Sequence, residues 1–134
     1  MHRSRLCNIV IDCLDEHFDA SVAFWTAAFG GPSPRRLVAG QRYVTLKAHP
    51  GGLDILLQRV ERDPGVHLDF ESDSVSAESA RLASAGARRK HRVQSWQVMQ
   101  DPSGTAFCVI RKQKPALLAE CTPWPAAVAP SGKR

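Results

Sequence analysis

The sequence predicts an α+β fold built from two βαβββ repeats, with cupped mixed sheets and with the helices on their outer face. Segments with apolar residues at every second position indicate strands, and two segments with helical spacing lie between them. The order of one strand, one helix and three strands occurs twice, and such a repeat is strong evidence about architecture. Several strands carry one apolar and one polar face, which is typical of a sheet that helices cover on one side only.

The first repeat spans about residues 6–60 and begins with a strand over Leu6–Cys13. Alternation along this strand places Asn8 and Asp12 on its polar face. Apolar side chains then recur at helical spacing around Trp25. A helix therefore follows the first strand.

Both ends of this helix carry capping signals. We expect Asp15 or Asp19 to cap its first turn, because a short carboxylate accepts hydrogen bonds from the open N–H groups there. We expect Gly30 to end it, because glycine adopts the left-handed conformation at low cost. Three predicted strands complete the repeat: Arg35–Ala39, Arg42–Ala48, and Leu53–Val60 with Gln58 on its polar face.

The second repeat spans about residues 65–112. Its first strand, Val66–Ser72, carries His67, Asp69 and Glu71 on the polar face. A helix over about Val75–Ala85 follows, capped by Ser74 or Ser76 and ended by Gly86. The last three strands are Ala87–Val93, Ser95–Gln100 and Thr105–Arg111, the last two joined by a tight turn at Asp101-Pro102-Ser103-Gly104.

Residues 113–134 form a proline- and alanine-rich tail. Prolines at Pro115, Pro123, Pro125 and Pro130 exclude a long regular element. We expect this tail to be ordered only where Leu117, Leu118 or Trp124 finds a groove.

Composition and charge narrow the function classes. No apolar run approaches the roughly 20 residues of a membrane helix, so we expect no membrane partner. The net charge is +5, and the densest basic run is Arg88–Arg92. That run also suits a solvated edge strand, and no recognised motif accompanies it, so we do not expect nucleic-acid binding. The four cysteines lack metal-type spacing, which favours free thiols in a cytoplasmic protein.

Several motifs resemble the vicinal oxygen chelate superfamily, which includes glyoxalase I, the extradiol dioxygenases and the bleomycin resistance proteins. The motifs of the second repeat are Val66–Phe70, the helix end Gly86-Ala87, and the segment from Trp96 through Asp101-Pro102-Ser103-Gly104 to Val109. Those of the first repeat, Asp12-Cys13, Phe24-Trp25 and Leu57–Val60, are similar to a glyoxalase-like subgroup common in actinobacteria. Residues 1–112 thus resemble one glyoxalase-like domain.

The resemblance implies where a metal would bind. In metal-dependent members, each repeat places one ligand, usually His, Glu or Gln, on its first strand and one on its last. The matching positions are Asn8 and His67 on the first strands, Cys108 on the last strand of the second repeat, and Leu56, Gln58 or Asp54 on that of the first. Among Asn8, Gln58 and His67, only the histidine is a conventional ligand for Zn, Ni, Mn or Fe, and Cys108 would bind zinc only as a thiolate. We therefore expect no resident metal, with His67 as the best candidate ligand if one is bound.

Alternatives stay open for the other candidate side chains. Trp96 could stack on a flat ligand or fill the core. Asp69 could assist His67 in general acid–base catalysis. Asp12, Asp69 and Glu71 could equally be solvated, or pair with Arg42, Arg59 and Arg92. Cys108 could be a thiolate ligand or a small apolar residue of a core strand.

The resemblance implies a small-molecule pocket. We expect a metal-independent protein that binds an apolar or aromatic metabolite or antibiotic, as the bleomycin resistance proteins do by sequestration. The alternative is a lyase, isomerase or cyclase that acts on a carbonyl substrate, with His67 as metal ligand or general base and Asp69 beside it. By resemblance we also expect a homodimer. The expected pocket comprises Asn8, Asp12, Gln58, His67, Trp96 and Cys108.

Overall fold

The computed structural model describes residues 1–31, 41–47, 53–113 and 121–126, and confirms the α+β fold. The described strands form a mixed sheet in the order β2-β3-β1-β4-β7-β6-β5, with β8 against β1, and among these strands β2 and β5 lie at the edges. No helix in these ranges is long and apolar enough to cross a membrane. The elements are β1 (His2–Leu14), a 3₁₀ turn (Asp15–His17), α1 (Phe18–Phe29), β2 (Tyr43–Lys47), β3 (Asp54–Val60), β4 (Gly65–Ser72), α2 (Val75–Ser84), β5 (Arg88–Val93), β6 (Trp96–Gln100), β7 (Ala106–Arg111) and β8 (Thr122–Trp124).

The chain divides into two units. Unit 1 comprises residues 1–6 and 69–134, and unit 2 comprises residues 7–68. The second predicted repeat is present in full, in the order β4, α2, β5, β6 and β7. In the first repeat, the predicted strand Arg35–Ala39 lies outside the described residues.

Unit 2 packs its core between α1 and one face of its strands. β1 runs parallel to β3, and β2 runs antiparallel to β3. Val44, Leu57 and Ile11 lie in register across the three strands, and they pack against Phe18 and Val22 of α1. Residues at the alternate positions of these strands must therefore face away from α1.

The start of α1 differs from the prediction. The residue that precedes the helix is His17, and its side chain makes no capping hydrogen bond. Asp15 lies in the 3₁₀ turn and binds Arg59 at 2.6 Å, and Asp19 lies 3.7 Å from the same guanidinium. The expectation that either aspartate caps the helix was wrong, because Asp15 lies in the preceding 3₁₀ turn and Asp19 lies inside the helix, on either side of the cap position. Gly30 ends the helix in the left-handed conformation, as predicted, with φ of 71°.

Unit 1 packs α2 against β6 and β7. Ser74 caps the helix, since its hydroxyl accepts a hydrogen bond from the N–H of Ala77 at 3.2 Å. Gly86 follows the helix with φ of 115°, as the C-terminal signal predicted. The buried core of this unit consists of Val75, Met99 and Val109, with Leu82, Ala83, Ala87 and Phe107 packed around it.

β1 begins at His2, four residues before the predicted start. Its first residues pair with β8, where Ser4 lies opposite Thr122 and His2 lies opposite Trp124. The inward side chains of this end, His2 and Ser4, are polar, so hydrophobic alternation could not reveal the strand. Trp124 is ordered, as expected of the tail, whereas Leu117 and Leu118 lie outside the described residues.

Candidate functional site

One face of unit 2 carries a row of four side chains with polar groups, one from each strand. Tyr43 on β2 pairs with Gln58 on β3, and Gln58 pairs with Asp12 on β1. His67 on β4 completes the row, since its Nδ1 lies 2.6 Å from Oδ2 of Asp12. Directly paired residues point to the same side of a sheet. This polar row therefore lies on the face opposite the α1 core.

The histidine and the aspartate of the polar row form an oriented pair. Both side chains are 16% exposed, so the bond between them is partly shielded from water. A carboxylate that accepts the Nδ1 proton selects the tautomer whose lone pair is on Nε2. Oδ1 of Asp12 is buried and has no hydrogen-bond partner within the described ranges. A buried oxygen without a partner costs free energy, so a ligand donor would be favoured there.

On the same face, the paired residues next to the polar row are mainly apolar, and the pair beyond them is polar. Val10 pairs with Leu56, and Leu56 pairs with Thr45, in the rung next to the polar row. The rung beyond it pairs Asn8 with Asp54. Val10 is buried and Leu56 is partly exposed, so this face offers hydrogen-bonding groups beside one accessible aliphatic side chain, a combination that small-molecule sites use.

Unit 1 contains the other candidate ligands. The thiol of Cys108 and the carboxylate of Asp69 lie within 4.8 Å of each other. Cys108 pairs with Val98, so both face away from the buried Met99. Trp96 is half-buried and, two residues before Val98 on β6, shares that face by alternation. Trp96 therefore lies on the face of β6 opposite the α2 core.

Comparison with known proteins decides the family. A family model described as "Glyoxalase-like domain" matches residues 8–110, more than half of the chain. The chain belongs to this glyoxalase-like family of the vicinal oxygen chelate superfamily. No curated protein matches the chain.

Solved structures support the fold of this glyoxalase-like protein. One match is a chain described as NAD-dependent benzaldehyde dehydrogenase from Legionella pneumophila, with a TM-score of 0.59 and 12% identity. The match covers 79% of the glyoxalase-like protein and 98% of the other chain. At that identity the likeness shows the fold alone.

In the glyoxalase-like domain, the burial of two carboxylates differs from what the sequence indicated. Asp69 and Glu71 are only 8% and 2% exposed, so the alternative that these two carboxylates are solvated is wrong. Glu71 binds Nε of Arg5 at 2.6 Å and accepts the N–H of Gln113 at 2.8 Å, rather than pairing with Arg42, Arg59 or Arg92. Glu71 is buried because Arg5 of the neighbouring strand β1 and the backbone that follows β7 contact its carboxylate.

The types of side-chain donor in this family member indicate how well it could bind a divalent metal ion. Asn8 and Gln58 bind borderline cations weakly, which disfavours a site on the face of unit 2. Within unit 1, the carboxylate of Asp69 and the thiol of Cys108 are conventional ligands. A divalent cation therefore stays the alternative cofactor.

The sequence found most of the polar row but missed one member. It named Asp12, Gln58 and His67 as pocket residues, and these three side chains share one face of unit 2. Its other pocket residues, Trp96 and Cys108, lie in unit 1. Tyr43 was missed, although its alternation with the buried Val44 was a usable signal.

Proposed function

We propose that this protein binds a small apolar or aromatic metabolite or antibiotic against the polar row, without a resident metal. The observation that carries the proposal is the alignment of Tyr43, Gln58, Asp12 and His67 across four strands. Tyr43 offers an exposed aromatic ring for stacking. Nε2 of the oriented histidine and Oδ1 of Asp12 are both hydrogen-bond acceptors, which suits a ligand group that donates. The four free thiols favour action in the cytoplasm, where cysteines stay reduced.

A ligand screen tests this proposal. Aromatic carbonyl compounds and antibiotics are screened by thermal shift, and hits are titrated calorimetrically with chelator-treated protein. We expect His67→Ala to weaken a hit up to about tenfold, because a hydrogen bond of about 0.5–1.5 kcal/mol is lost. His17→Ala is the matched control, since His17 is exposed in the 3₁₀ turn. Equal affinity in wild type and His67→Ala, or binding that needs added metal, would contradict the proposal.

A second candidate function is a glyoxalase-type lyase or isomerase with His67 as general base. The observation that favours it is the 2.6 Å contact of Nδ1 with Asp12, which leaves Nε2 as the basic nitrogen. The carboxylate would also stabilise the imidazolium that forms when Nε2 takes a proton. A bound cation, if present, would stabilise the enolate of a carbonyl substrate.

Turnover separates the two functions. A general base predicts exchange of solvent deuterium into a carbonyl substrate, with loss of exchange in His67→Ala. Asp12→Asn should slow exchange by orders of magnitude while the fold is kept, because the amide favours the wrong tautomer. Exchange that survives His67→Ala would exclude the histidine mechanism. Elemental mass spectrometry of wild type and Cys108→Ser tests whether the protein binds a divalent cation.

A further inference from the structure

A basic cavity of about 560 Å³ lies wholly within unit 1, apart from every residue of the polar row. It opens where β4 and β7 end and where β5 turns into β6. Its basic side chains come from separate elements: Arg92 ends the hairpin strand β5, and Arg111 and Lys112 follow from β7. The rest of the lining is Ser72, Asp73, Ser74, Val75, Ser76 and Ser95.

The charge of this cavity is not balanced from within. None of Arg92, Arg111 and Lys112 makes an ion pair with a residue in the described ranges. The one acid of the lining, Asp73, accepts the backbone N–H of Arg3 at 2.8 Å. Three cations around one concavity repel one another, and an anion that binds among them removes that cost.

We propose that this cavity binds the phosphate group of a small phosphorylated molecule. Guanidinium groups match phosphate oxygens through paired N–H donors, and Lys112 adds a point charge. The hydroxyls of Ser76 and Ser95 supply further neutral donors at the wall. The volume falls within the range of small-molecule sites, roughly 300–1,000 Å³.

A nucleic acid fits these observations less well. Arg88, Arg89 and Lys90 continue the basic run along the exposed edge strand β5, but they do not line the cavity. A polymer would use that whole strip, whereas a single phosphate group needs only the cavity. This difference supplies a matched control: Arg89 is an exposed arginine of the same strand outside the lining.

Calorimetric titration of the full chain with pyrophosphate and inorganic phosphate at low salt tests the proposal. We expect millimolar or tighter binding, weakened about tenfold in Arg92→Gln and in Arg111→Gln and unchanged in Arg89→Gln. Lys112→Gln is the second variant if one arginine variant does not fold. A midpoint of thermal unfolding equal to that of the wild type establishes that a variant keeps the fold.

Three results would overturn the proposal. One is that neither pyrophosphate nor inorganic phosphate binds. Another is equal weakening in Arg89→Gln and Arg92→Gln, which would indicate diffuse charge attraction. The third is a single-stranded oligonucleotide that binds more tightly than pyrophosphate and loses affinity steeply with salt, which would assign the strip to nucleic acid.

Discussion

Glu78 shows how one residue of α2 organises the buried polar groups of unit 1. Its side chain is fully buried, and it accepts hydrogen bonds from His2 Nε2 at 2.6 Å and from Ser4 Oγ at 2.9 Å. Arg81 adds two bonds, of 2.9 and 2.7 Å, and its guanidinium stacks 3.7 Å from the ring of Trp124. The indole N–H donates to Ser4, which closes the network. One carboxylate thus joins the N-terminal strand, α2 and the tail.

This network predicts a pH-dependent stability. Burial alone would raise the pKa of Glu78, but hydrogen bonds from Arg81, His2 and Ser4 outweigh it and hold the pKa below its ordinary value of 4.5. The carboxylate therefore contributes its full stability above about pH 4.5, and the contribution is lost as the pH falls through the lowered pKa.

Glu78→Gln should lower the free energy of unfolding at pH 7 by about 3 kcal/mol, because it leaves the guanidinium of Arg81 without its buried carboxylate partner. It should also flatten the fall in stability below about pH 4.5. Urea unfolding at neutral and acid pH measures both effects. Glu61→Gln is the control, since Glu61 is exposed. Parallel pH curves for wild type and Glu78→Gln would contradict the assignment.

At the scale of the element, the start of α2 is decided by one hydroxyl. Serines at two positions satisfied the sequence rule, and only Ser74 makes the bond, to the N–H of Ala77. Ser76 lies inside the first turn and is exposed. The backbone conformation after β4 selects Ser74, because a capping residue needs extended dihedral angles. Ser74 has φ of −140° and ψ of 98°.

Ser74→Ala should destabilise the protein by about 1 kcal/mol, the usual effect of losing a cap. Ser76→Ala, its neighbour in the same turn, should change stability by less than about 0.5 kcal/mol, as an exposed substitution does. Chemical denaturation of the two variants side by side makes the comparison. Equal losses in both would show that the hydroxyl of Ser74 contributes nothing specific.

At the scale of the whole molecule, unit 2 exposes several large apolar side chains. Phe24 of α1 is 62% exposed and Val66 of β4 is 59% exposed, with Phe29 and Leu68 also uncovered. Surfaces of this kind are typical of interfaces. We propose that the chain pairs as a homodimer that covers some of these side chains.

Light scattering on the purified chain should give twice the monomer mass. Phe24→Glu or Val66→Glu should lower that mass at micromolar concentration, because an interface that buries an unpaired charge is destabilised. Ala20→Glu, at an exposed position of α1, should leave the mass unchanged. A monomeric wild type, or dimers in both glutamate variants, would exclude this interface.

The sequence by itself determined the elements and the faces of this protein. Alternation identified β3, β4, β6 and β7, and helical spacing with Gly30 and Gly86 identified α1 and α2, because these signals act over a few residues. The same alternation placed Asp12, Gln58 and His67 on polar faces. These patterns, together with the family motifs, were sufficient to identify the glyoxalase-like fold.

Tertiary structure alone decided which polar groups meet and which are buried. The contact of Asp12 with His67 joins positions 55 residues apart, and that of His2 with Glu78 joins positions 76 apart. Burial of Glu71 followed from the neighbours of β4 in the sheet, which no local pattern records. The alternation of residues along a strand shows to which face a side chain points. Its contact partner depends on the order of the strands in the sheet, and that order is a property of the whole chain.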